Sequence, residues 1–67
     1  MICLFINGAQ RSFPASLTVS DLLGELSLAG KRVAVERNGE IVPRSLHGET
    51  WLQDQDKLEI VVAVGGG

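Results

Sequence analysis

The sequence predicts an α+β fold, a small mixed sheet covered on one face by one helix and followed by a flexible C-terminal glycine tail. Three observations predict it. Apolar residues alternate over strand-length segments, two of which run into Asn-Gly dipeptides. A single stretch, "LTVSDLLGELSLAGK", changes to helical spacing. A last alternating segment then leads straight into three glycines.

The elements follow in order. "ICLFINGAQRSF" reads as a hairpin with strands near 2–6 and 9–13, because Asn7-Gly8 suits a type I′ turn whose two central residues need positive φ. Pro14 closes the second strand. Alternation places Ile2, Leu4 and Ile6 on one face, Cys3 and Phe5 on the other. Thr18 is the expected helix N-cap, and Asp21 completes a capping box while setting negative charge at the helix start. Val19, Leu22, Leu23 and Leu26 form one stripe at helical spacing. Gly24 costs up to about 1 kcal/mol in mid-helix, which close packing would explain. Gly30 is the expected stop.

"RVAVERNGEIVPR" alternates again, with Val33 and Val35 on one side; Asn38-Gly39 turns into a short strand, and Pro43 marks an edge or a strand exit. "SLHGETWLQDQD" is a polar connection in which Leu46, Trp51 and Leu52 can anchor to the core. "KLEIVVAV" is the last strand, with Leu58, Ile60 and Val62 on one face. Leu4, Ile6, Leu22, Leu26, Val33, Val35, Leu58 and Ile60 form the expected core. One helix covers one sheet face, so the other face should carry Cys3, Phe5, Ala34 and Val61, of which Phe5 and Val61 suggest partner docking. Residues 1–62 form the expected domain and 63–67 the tail.

Sixty-seven residues bound the function as well. A domain of this length buries only about 60% of its unfolded surface, and ligand pockets occupy roughly 300–1,000 Å³. That points to a carrier, binding module or subunit rather than an enzyme. The net charge is −2, the six Lys and Arg are scattered and aromatics are 4%, which excludes the basic, stacking surface of a nucleic-acid binder. Apolar runs such as "IVVAV" are far below the ~20 residues of a membrane span, and no secretory leader appears, so the chain reads as cytoplasmic.

Few side chains carry chemistry. His47 has no Asp, Cys or second His at ligand spacing and reads as a solvated loop residue. Cys3, the only cysteine, lies mid-strand without a cation beside it and reads as structural. Asp54 and Asp56 read as turn residues rather than a metal site. Arg44 is either a partner contact or surface charge. No catalytic residues and no metal site are expected. The tail remains. Gly65-Gly66-Gly67 brings nothing to a core and loses much entropy on ordering, so it is either a frayed end or a working carboxylate.

"INGAQ", "LTVSDLL", "NGEIVPR", "DQDKLEIV" and the terminal "VGGG" together resemble the ubiquitin-like β-grasp proteins, and within them the ThiS family of sulfur carriers, over the whole chain. One departure is Gln55, where the family often carries Gly in a D-G-D turn. The resemblance implies a protein co-substrate in thiamine thiazole synthesis that binds no cofactor itself. A ThiF-like adenylyltransferase would consume ATP to adenylate Gly67, a sulfur donor such as a cysteine desulfurase would convert it to a thiocarboxylate, and thiazole synthase (ThiG) would take the sulfur.

Physical chemistry agrees with that implication. An α-carboxylate, of pKa about 3.3–3.7, is ionised at neutral pH and a poor electrophile until activated. Glycines at 65 and 66 pass a narrow channel that side chains would block. Residues 63–67 span about 17 Å at roughly 3.3–3.6 Å each. The free protein would be a monomer. Two other readings stand beside this one: a MoaD-like carrier for another acceptor (molybdopterin or thiolation), and a noncovalent β-grasp interaction module whose glycines do nothing.

Overall fold

A computed structural model describes residues 1–63. Strands β1 (Ile2–Ile6) and β2 (Ala9–Phe13) form the hairpin, antiparallel from Ile2 opposite Phe13 to Ile6 opposite Ala9. Asn7 and Gly8 take φ of 51° and 85°, the pair of positive values a two-residue type I′ turn requires. Asn7 also works beyond the turn. Its carboxamide accepts from Ile60 N–H at 2.8 Å and donates to Ile60 C=O at 3.1 Å, standing in for one more backbone rung.

Helix α1 (Val19–Glu25) starts as its residues dictate, with Thr18 and Asp21 exchanging both capping-box bonds at 3.1 Å. It ends earlier than expected. Ser27, not Gly30, takes the left-handed conformation (φ 61°) that closes it. Ser27 N–H donates to Gly24 C=O, and Leu28 N–H to Leu23 C=O at 2.8 Å, the paired bonds of a Schellman cap. The early stop lets both Leu26 and Leu28 pack against the core, each half-buried. Gly30 (φ 82°) instead turns the connection toward the sheet. Gly24 is not a packing glycine: a Cβ there would meet nothing within 4 Å.

Strands β3 (Val33–Arg37), β4 (Glu40–Ile41) and β5 (Lys57–Val62) complete a five-stranded sheet ordered β2-β1-β5-β3-β4. The last strand lies in the middle, parallel to β1 and antiparallel to β3. Pro43 follows edge strand β4, where no ladder donor is missed.

Six of the expected core residues are buried: Leu4, Ile6, Leu22, Val35, Leu58 and Ile60. Leu26 and Val33 are corrected to half-buried margins. Phe13, Leu17, Val19, Leu23 and Leu52 complete the core. Leu52 is there because residues 50–52 run beside the segment before α1, through Leu52 N–H to Leu17 C=O, Val19 N–H to Thr50 C=O, and a bridge between Thr18 and Trp51. Neighbours in an extended segment point opposite ways, so Leu52 inside sends Trp51 out, 58% exposed. Leu46, in the 3₁₀ turn Arg44–Leu46, is exposed as well. Neither is the core anchor expected.

Candidate functional site

Two features of the fold could meet a partner: the root of the tail and the helix-free face of the sheet. Strand β5 brings the chain to the first. Its ladder with β3 extends from Arg37 opposite Leu58 to Val33 opposite Val62, and Ala63 N–H adds one more bond to Arg32 C=O at 2.9 Å. Ala63, the last described residue, therefore continues the central strand beside the start of β3, three positions after the core residue Ile60. Gly65, Gly66 and Gly67 lie outside the described residues.

Register defines the second feature, because directly opposed residues share a face. Phe5 opposes Gln10 and Lys57, Ala34 opposes Val61, and Glu36 opposes both Glu59 and Ile41. Phe5 and Val61 thus lie on the helix-free face, but they do not touch as a pair. Four residues of β5 separate their positions, about 13 Å at roughly 3.3 Å per residue. Val61, 62% exposed, instead lies directly opposite Ala34, and Ile41, 64% exposed, shares that face one strand further out, diagonal to Ala34. Phe5, half-buried, sits at the far side beside Cys3 and Lys57. Sequence reasoning missed Ile41. Its signal was the alternation of a strand only two residues long, legible once its partner in β3 is known.

The remaining polar groups build turns. Asp54 accepts from Cys3 N–H at 2.6 Å. Asp56 is buried; its carboxylate accepts from Gln53 N–H and Arg37 Nε at 2.8 Å and from Asn38 Nδ2 at 3.1 Å. Burial pushes its pKa up, but the Gln53, Asn38 and Arg37 hydrogen bonds and the Arg37 charge outweigh that and hold it below the ordinary value. Gln55, between the two aspartates, takes φ of 74°, a conformation suited to glycine. Cys3 Sγ accepts from Gln10 Nε2 at 2.8 Å within the hairpin.

His47 is a correction. It is buried, with Nε2 3.1 Å from Val42 C=O, and its own C=O accepts Ser20 N–H at the helix start. The 3₁₀ turn folds the loop back beneath α1, a contact no local spacing reveals. Among the described residues, no group of three or more His, Cys, Asp or Glu could hold a metal ion, and no helix is long and apolar enough to cross a membrane.

Comparison with known proteins gives a consistent result. The ThiS family model matches residues 4–67. A thiazole synthase of Paramagnetospirillum magneticum is 56% identical over 64 residues, 96% of this chain but 20% of that one; the chain thus spans about a fifth of the length of that relative. The sulfur carrier protein ThiS of Bacillus subtilis is 48% identical over 50 residues, 75% of this chain and 76% of that one. The crystal structure of a thiamine biosynthesis protein (ThiS) from Geobacter metallireducens superposes with a TM-score of 0.83 at 35% identity, covering 98% of this chain and all of that one.

Proposed function

The chain belongs to the ThiS family, with its ubiquitin-like β-grasp fold, and from that premise we propose that it is a sulfur carrier of thiamine thiazole synthesis whose working group is the Gly67 carboxylate. The observation that carries the reading is the position of the tail root: the central strand, anchored by Leu58 and Ile60, holds the chain as far as Ala63, four residues before Gly67 in the sequence. The folded domain is the handle and the tail is the substrate of other enzymes.

The chemistry needs activation first. In an adenylating enzyme of the ThiF kind, a Gly67 carboxylate oxygen attacks the α-phosphorus of ATP and pyrophosphate leaves. The terminal sulfur of a persulfide, formed by a donor such as a cysteine desulfurase, then attacks the acyl carbon, and AMP departs with the C–O electron pair. A donor-side thiol cleaves the resulting S–S bond, leaving a thiocarboxylate on the chain and a disulfide on the donor. Thiazole synthase consumes that sulfur. The family domain's presence as a fifth of a protein named thiazole synthase supports this partner. The ATP dependence of the first step suits the cytoplasm.

Docking falls to the helix-free face, centred on Val61, Ala34 and Ile41 with Phe5 at its far edge. Intact-protein mass spectrometry tests the central claim. With ATP, the adenylating enzyme and a sulfur donor, one C-terminal oxygen should be exchanged for sulfur, and Gly66→Val or one residue added after Gly67 should abolish the exchange at unchanged circular dichroism. Sulfur loading that survives a blocked C-terminus, for instance on Cys3, would overturn it.

A further inference from the structure

The chain has two asparagines, Asn7 and Asn38, and each is followed by glycine. Their surroundings match bond for bond. Asn7 N–H donates to Leu58 C=O at 2.9 Å, and Asn38 N–H to Lys57 C=O at 2.8 Å. Each carboxamide oxygen accepts a main-chain N–H of β5, from Ile60 at 2.8 Å and from Lys57 at 3.0 Å. Each carboxamide nitrogen donates at 3.1 Å, to Ile60 C=O and to the buried Asp56 carboxylate. The two asparagines are nonetheless exposed at the tips of their turns, as are Gly8 and Gly39. Water reaches both pairs while the hydrogen bonds hold both carboxamides in place.

We propose that Asn7 and Asn38 are deamidation sites that β5 keeps closed in the folded chain. An Asn-Gly pair is primed for this reaction because glycine has no Cβ to hinder its nitrogen or restrict its backbone. That nitrogen, deprotonated by hydroxide, attacks the asparagine Cγ. The N–Cγ bond forms, the Cγ–Nδ2 bond breaks, and the leaving nitrogen takes the electron pair and a proton from water to depart as ammonia. Water then opens the succinimide at either ring carbonyl, giving aspartate or isoaspartate. Here the bonds at Oδ1 and Nδ2 draw each Cγ toward β5, so they must break before the glycine nitrogen reaches it. The product cannot restore them. A carboxylate only accepts: at position 7 it would face Ile60 C=O, and at position 38 the Asp56 carboxylate, a like charge. Isoaspartate also lengthens the main chain within a two-residue turn whose length sets the strand register. The modification thus starts from an opened turn and leaves β5 without a support at Ile60 or Lys57.

The test incubates the full chain at one mildly alkaline pH, folded and in unfolding concentrations of urea, and follows both sites by peptide mass mapping. Each site should lose its carboxamide about tenfold or more faster in the unfolded chain. Isoaspartate should be among the products, and Gln10, Gln53 and Gln55 should stay intact. Equal rates in the two states overturn the closed site. No loss at either asparagine in urea, or aspartate as the sole product, overturns the succinimide route. Asn7→Asp and Asn38→Asp supply a second readout, each lowering the thermal midpoint by about 5 °C or more, Asn38→Asp the further. If Asn38→Asp does not fold, Asn7→Asp and wild-type chain aged to partial conversion carry the comparison. Midpoints equal to wild type overturn the loss of support on β5. Every one of these outcomes is independent of the sulfur-carrier reading.

Discussion

Replacing Asp56 should cost more than any other single polar change. Its carboxylate joins the start of β5 to the β3–β4 turn through Arg37 and Asn38, and caps its own turn through Gln53 N–H. Its C=O accepts Phe5 N–H at 2.9 Å, so the same residue also positions β1. Asp56→Ala removes three hydrogen bonds to a charged acceptor. Bonds of that kind contribute about 1.5–3 kcal/mol each where buried. The Arg37 side chain is 27% exposed and can return to water, so its share is discounted. The net loss should be about 3 kcal/mol. A domain of this size has roughly 3–10 kcal/mol in all, so the variant should approach unfolding.

With a urea m-value near 1 kcal/mol/M, that loss moves the midpoint by about 3 M. Far-UV circular dichroism is the right probe, since Trp51 is 58% exposed and would report unfolding weakly. The acid limb gives a second readout. Because the folded pKa of Asp56 is lowered from 3.8, the unfolded chain binds the proton more readily. Its contribution is present above about pH 4 and is lost as pH falls through the lower folded value. Asp56→Asn should therefore cost less than Ala and show a shallower loss of stability below pH 4. A loss under about 1 kcal/mol for Ala, or an acid limb for Asn that superimposes on wild type, would refute the reasoning.

Other substitutions test other links. Gly24→Ala should stabilise by about 0.8–1 kcal/mol in urea titration, since the added Cβ meets nothing and helix propensity rises. Gln55→Gly should raise the thermal midpoint by several degrees, roughly 1 kcal/mol, by relieving a left-handed side chain at φ 74°; no rise would mean the Gln conformation is unstrained. Leu22→Ala, at a site with no exposure, should cost about 2–5 kcal/mol, and Leu26→Ala, half-buried, clearly less. Val61→Asp should weaken titration-calorimetric binding to the adenylating enzyme more than Phe5→Asp does, with both folds intact, because Val61 is exposed beside Ala34 and Phe5 is half-buried at the far edge.

The sequence by itself determined most of the local structure and the family. Asn-Gly pairs need positive φ whatever surrounds them, Thr18 and Asp21 cap whatever helix follows, and strand alternation assigns faces two residues at a time. These are interactions between residues a few positions apart, so they are legible in one dimension. The family motifs are legible for the same reason, as short runs of neighbouring residues.

What only the tertiary structure decided depends on contacts across the chain. The burial of His47 and Leu52 and the exposure of Trp51 follow from the pairing of residues 47–52 with the start of the helix. The roles of Asn7 and Asn38 as surrogate backbone on β5 require that strand to lie in the middle of the sheet, a placement its sequence position does not reveal. The distance between Phe5 and Val61, and the pairing of Ala63 N–H with Arg32 C=O, arise from register and strand order. Both are set by burying the apolar faces of β1, β3, β5 and α1 together, a collective packing choice that no single segment encodes.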